Sequence, residues 1–243
     1  MKKTAIILSI LAFIASGCGQ RPSAESNENT ERTTTDDQDS TELCQTTPPD
    51  FKTLKLDFDF LVTVGKEEDF KSFKTYTYFK LERDNDIVYL DDSLTEYEFG
   101  DKLFPIILRT GDNDFELLFE INNRPFKNYL KRLFVSNNKL VGQDELPTFE
   151  AKPRDINNDG VMKYAGYWNS SETWGENYTL TGYSPILYYS VTETGLKLDS
   201  LLTKQRNEVI YGQFYGFSFN QKCEQPISVL DKFYQELKII RND

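Results

Sequence analysis

Apolar and polar residues alternate, with one exception, from Leu54 to Val64. Leu54, Leu56, Phe58, Phe60, Val62 and Val64 are interleaved with Lys55, Asp57, Asp59 and Thr63. A period of two turns one face to a core and the other to water, so the run predicts one half-buried strand, with Leu61 on the polar face. Residues 73–82 alternate again, with Phe73, Phe79 and Leu81 on one face and Tyr76 and Tyr78 on the other. Asp84-Asn85-Asp86 supply turn chemistry before a short strand at 87–90, which predicts a hairpin. A second turn, Gly111 to Asp114, leads into Phe115, Leu117, Phe119 and Ile121. Residues 51–121 therefore read as an antiparallel meander.

The period then lengthens. Phe126, Tyr129, Leu130, Leu133 and Phe134 fall on one face of a helix, with Asn123 placed to cap it and Pro125 in its first turn. Lys127, Lys131 and Arg132 would form its solvated side. Asn137-Asn138, Gly142 and Pro147 mark a looser connection. Strands are expected again at 162–168, 178–181, 186–191 and 214–219, while 196–211 carries no decisive period. The end, 228–240, predicts an amphipathic helix with a buried stripe of Leu230, Phe233, Tyr234, Leu237 and Ile240. The class is β-rich α+β: antiparallel sheets with a mid-chain helix and a C-terminal amphipathic helix. Its two parts, 51–146 and 147–243, can share one core.

The N-terminus sets the compartment. Lys2 and Lys3 precede an apolar run from Ala5 to Ile14, which ends in Ala15-Ser16-Gly17-Cys18. A positive start, a short apolar core and a small-residue exit make a secretory signal over 1–17. Ten helical residues rise about 15 Å, half of the roughly 30 Å needed to span a bilayer. The junction resembles the bacterial lipobox, with Ala15 where Leu, Val or Ile is usual. The resemblance implies a lipid on Cys18 and a membrane anchor outside the cytoplasm. Residues 18–50 follow as a tether: seven acids and two bases lie among 19–43, with Ala24 and Leu43 the only apolar residues there. Such a segment buries too little to offset its conformational entropy.

Charge and histidine narrow the chemistry. The formal charge is −11, and the leader carries two lysines and no acid, so the mature chain is more acidic still. General electrostatics then oppose nucleic acid as a partner. Aromatic residues make up 14% of the chain, which favours strands over helices. The chain has no histidine, which removes Ser-His-Asp and Cys-His catalysis and His-ligated zinc. With Cys18 lipidated, Cys44 and Cys223 are left in an oxidising compartment, where one disulfide is expected.

One stretch ties chemistry to spacing. Asp155, Asn157 and Asp159 stand at loop positions 1, 3 and 5, Gly160 at 6, and the carbonyl of Val161 at 7. Oxygens so spaced converge on one point when a glycine allows the sharp turn, which suits calcium. The loop resembles those of EF-hands, dockerins and FG-GAP repeats. It departs from them in Lys163 at position 9, Gly166 at position 12, the lack of a flanking helix and its single copy. Glu172 or Glu176 are candidates to complete a metal shell. The competing reading is a metal-free turn held by Asx hydrogen bonds.

The aromatic stretch that follows is the second candidate. Exposed Trp168, Trp174 and Tyr178, among Tyr164, Tyr167 and Tyr183, would stack on sugar rings or form a protein hot spot; buried, they would be sheet core. Layout and composition resemble uncharacterised lipoproteins of Bacteroidota, a likeness that implies an envelope location and no activity. The expectation is a lipid-anchored binding module for a glycan or envelope protein, with calcium as a structural ion. The alternative is a calcium-dependent hydrolase using carboxylates near 155–176.

Overall fold

The computed structural model describes residues 50–100, 103–169 and 172–242, and these described residues form one compact unit. The expected signal segment, the lipidation candidate Cys18, the expected tether up to residue 49 and Cys44 lie outside the described residues, so the expected Cys44–Cys223 pairing does too at one end. Cys223 is a half-buried thiol that accepts a 3.2 Å hydrogen bond from Gln225 Nε2.

The first part is a nine-stranded antiparallel sheet: β1 Lys52–Lys55, β2 Phe60–Asp69, β3 Lys74–Arg83, β4 Asp86–Asp91, β5 Tyr97–Glu98, β6 Ile106–Arg109, β7 Asp114–Ile121, β8 Tyr129–Ser136 and β9 Lys139–Pro147. The main path runs β1-β2-β3-β5-β7-β8-β9, with β4 on β3 and β6 on β7. The sheet curls, because β4 lies against β9 and Lys131 of β8 reaches Asp91 of β4 at 2.9 Å. Inside the curl Phe60, Val62, Phe79, Leu81, Tyr97, Leu117, Phe119 and Leu133 pack at 0–1% exposure.

The second part adds β10 Lys163–Gly166, β11 Thr173–Trp174, β12 Leu180–Tyr183, β13 Leu187–Thr192, β14 Gly195–Leu198, helix α1 Ser200–Tyr211, β15 Asn220–Pro226 and helix α2 Val229–Arg241. β10-β13-β14 is one three-stranded sheet and β11-β12-β15 another. Alternation along β13 separates two cores. Leu187 and Tyr189 join Leu118, Leu130 and Phe149 against the outside of the curled sheet. Ile186 and Tyr188 turn to Leu202, Ile210, Phe233 and Leu237 of the two helices. The result is a layered order of curled sheet, small sheet and helix pair. Gly166 ends β10 where it passes the curled sheet so closely that a Cβ would collide with the Thr148 carbonyl.

The α+β class stands, with two helices, but the mid-chain helix is at Ser200–Tyr211, in the stretch without a decisive period. Asp199 caps it by accepting from Leu202 N at 2.9 Å, and left-handed Gly212 ends it. Residues 126–134 are not helical. Tyr129–Ser136 is β8, paired with β7 and β9. This strand is buried on both faces, with Leu133 and Val135 inside the curl and Leu130 outside it. Apolar residues on both sides of a strand imitate helical spacing. The three basic residues expected in solvent are each paired instead: Lys127 with Glu150, Lys131 with Asp91, and Arg132 with Glu116 and Asp144.

Four smaller corrections follow from turns and packing. The alternating run from Leu54 to Val64 is two strands, because Phe58 and Asp59 both adopt left-handed conformations and reverse the chain. The connection at 137–147 is β9, entered through left-handed Asn137-Asn138, a hairpin turn. Residues 214–219 form no strand, and the C-terminal stripe is Val229, Phe233, Glu236, Leu237 and Ile240, leaving Tyr234 56% exposed.

Candidate functional sites at the two ends of β10

The loop before β10 is the calcium-like sequence. Arg154 and Lys163 exchange backbone hydrogen bonds of 3.0 and 2.7 Å and close its base. Asn158 and Gly160 are left-handed, as the sharp turn requires. Asp155 uses both carboxylate oxygens on the loop's own backbone, accepting from Asp159 N at 3.0 Å and Gly160 N at 2.8 Å. Asp159 accepts from Val161 N at 2.9 Å and from Asn157 Nδ2 at 2.9 Å. Arg154 donates to the Ile239 carbonyl of α2 and Arg206 of α1 to the Ile156 carbonyl, fastening the loop to both helices.

At the loop's focus sits the ammonium of Lys163. Its Nζ donates to Asn157 Oδ1 at 2.9 Å, Asp159 Oδ1 at 2.6 Å and the Val161 carbonyl at 3.1 Å. An ammonium has three donors, and here all three find acceptors. The side chain is 0% exposed. The bond from Lys163, with those from Val161 and Asn157, lowers the Asp159 carboxyl to about 2. Loop positions 3, 5 and 7 thus converge as the calcium loops' spacing implies, but on a lysine. The donor set does not fit a divalent ion as it stands: a 2+ charge would have to enter where a 1+ charge is hydrogen-bonded, and position 1 faces backbone N–H groups.

Beyond the other end of β10 opens a cleft of about 700 Å³, lined by Pro125, Phe126, Lys127, Tyr167, Asn169, Glu172, Phe219 and Gln221. Its first wall is the β7–β8 connection. There Asn128 donates to Glu98 and Glu120, Asn122 donates to Glu98, and Arg124 lies 3.3 Å from the Phe73 ring centroid. These bonds hold the connection, and Phe126 projects from it at 58% exposure. Tyr167 is fixed from both sides: Lys127 Nζ lies 4.5 Å from its ring centroid, and Phe233 packs edge-on at 5.1 Å. Lys127 is itself paired with Glu150 at 2.8 Å, and Arg241 joins the same carboxylate. Phe219 and Gln221 enter at the start of β15.

Trp168, Trp174 and Tyr178, the aromatic candidates from the sequence, are not among the residues lining this cleft. Trp168 is half-buried against the outer core, and Trp174 is half-buried in β11. Tyr178 is 69% exposed in a left-handed turn with Asn177. Tyr164 and Tyr183 are core. Glu172 lines the cleft rather than the loop, and no residue of 155–161 lines the cleft. Lys163 was legible as the residue at position 9 but not as the loop's cation. Phe126 and Phe219 lacked any local signal, because their neighbourhood is made by distant strands.

Another buried ionic cluster is structural. Asp91 accepts from Lys131, Tyr97 and Tyr89 at 2.9, 2.8 and 3.1 Å. Burial alone would raise its carboxyl, but the bonds from Ser93, Lys131 and Tyr97 outweigh that and hold it well below the usual range. Burial likewise opposes the Lys131 charge, yet Asp91 and Tyr89 raise its basicity. A lysine held protonated in this way is no general base.

No protein-family model, no curated protein and no solved structure matches this chain.

Proposed function

We propose that this is a lipid-anchored cell-envelope protein that binds a glycan in the cleft formed by Phe126, Tyr167 and Phe219, without transforming it. The lining carries the reading. Aromatic faces pack on the C–H faces of a sugar ring, while the Asn169 and Gln221 amides and the Glu172 carboxylate suit its hydroxyls. The acidity of the chain favours neutral over anionic glycans. Glu172 is the one carboxylate among the described lining residues, and glycoside hydrolysis ordinarily uses two flanking the bond. That counts against the hydrolase alternative. The anchor is Cys18 after the lipobox-like junction, which keeps the domain at a membrane on its non-cytoplasmic side.

Two measurements test this. Calorimetric titration of the full-length protein with neutral oligosaccharides should show binding that Phe126→Ala weakens while the melting temperature stays put. Binding of no oligosaccharide, or equal binding by the variant, would overturn the glycan reading; capture of an envelope protein by the same face would replace it. Separately, Cys18→Ala should move the protein from the membrane to the soluble fraction, and a variant still pelleting with membranes would refute the anchor.

A further inference from the structure

The calcium-like loop and the lysine within it carry an inference independent of the cleft. We propose that Lys163 supplies, on its own side chain, the cation around which this loop is built, so that the loop needs no metal. Three observations support this. The oxygens at positions 3, 5 and 7 all lie 2.6–3.1 Å from one nitrogen. That nitrogen has as many donors as it has acceptors around it. The lysine stem is fully buried as the first residue of β10, paired across to Ser190, so the strand itself aims the ammonium back into the loop.

The arrangement has a physical consequence. A bound ion holds a loop only while its concentration exceeds the dissociation constant, because stabilisation follows mass action. A tethered ammonium is present at every calcium concentration. The loop also fastens to α1 and α2 through Arg206 and Arg154, so its closure supports the helix layer whatever the external medium contains. Removing the ammonium would leave oxygens already converged for a hard cation. A Lys163→Ser chain should then acquire the calcium site that the native chain lacks.

The test is thermal unfolding of the full-length protein in EDTA and in millimolar calcium, for the native chain, Lys163→Ser, and Lys163→Ser combined with Asp159→Asn. Calcium should move the native melting temperature by less than about 1 °C. Lys163→Ser should melt several degrees lower in EDTA and recover part of that loss in calcium, and the double variant should not recover. A native melting temperature that rises with calcium would overturn the proposal. So would a Lys163→Ser chain as stable in EDTA as the native one, or one that calcium fails to rescue. Should Lys163→Ser not fold, the native chain decides by itself: a slowly exchanging ¹H–¹⁵N signal from the Lys163 ammonium should persist unmoved in calcium. A signal that is absent, or that calcium displaces, would reject the assignment.

Discussion

The two ends of β10 use similar residues in opposite ways. Before the strand, Asp155, Asn157, Asp159 and Lys163 spend their polar atoms on one another and on the loop backbone. After it, aromatic rings, amides and a carboxylate line an open cleft. The strand between them spans four residues, roughly 13 Å at the usual rise. A cluster of acids and amides is therefore poor evidence of a ligand site by itself. What matters is whether an internal group already satisfies it. Lys163 does so at the loop, whereas the cation lining the cleft, Lys127, pairs with Glu150, outside the lining, and lies over the Tyr167 ring.

Removing what both ends share should have the largest effect. Phe149 is 3% exposed and stacks on Tyr164 of β10, with centroids 4.6 Å apart. Phe149→Ala should cost about 3–4 kcal/mol in urea unfolding and weaken oligosaccharide binding as well. If stability falls while binding is untouched, the cleft does not depend on the seating of β10. Lys163→Met comes next. It strands the Asn157 and Val161 oxygens without their donor and should cost about 2–3 kcal/mol, with the binding constant unchanged.

Phe126→Ala should do the reverse, lowering glycan affinity about fivefold to tenfold while stability stays within about 0.5 kcal/mol. If the two variants gave the same pattern, the contrast between closed loop and open cleft would fail. The smallest effect is a pH dependence. The Asp159 carboxyl is lowered to about 2 in the fold, below the unfolded value of about 3.9. Its contribution is thus complete above the unfolded value and is lost as pH falls through the folded one. Native and Asp159→Asn chains should differ in stability at neutral pH and converge near pH 2. Curves that remain parallel to low pH would remove Asp159 from the account.

The sequence was legible where the positions between inward-facing apolar residues are mostly polar in type, even where, as at Glu116 and Glu120 of β7, those polar residues end up buried. Phe60, Val62 and Val64 of β2 and Phe115, Leu117, Phe119 and Ile121 of β7 pack inside the curl as their alternation implies. The C-terminal helix also forms, with Phe233, Leu237 and Ile240 buried. Legibility failed at β8 because its apolar and basic residues are each split between the two faces, Leu130 outward and Leu133 and Val135 inward, with Lys131 and Arg132 adjacent, so no period of two shows in the sequence. It failed again at Tyr234, where helical phase alone cannot say how wide a stripe the neighbouring sheet will cover.

The sequence by itself determined the β-rich α+β class, the acidic charge and the absence of imidazole side chains, because composition and overall patterning suffice for each. Only the tertiary structure decided that β8 is a strand, that its basic neighbours are paired, and that Phe126, Tyr167 and Phe219 share a cleft. It also decided that the loop's oxygens meet an ammonium: pairing with β13 and the packing behind it bury the Lys163 stem, leaving its charged end nowhere to go but the loop.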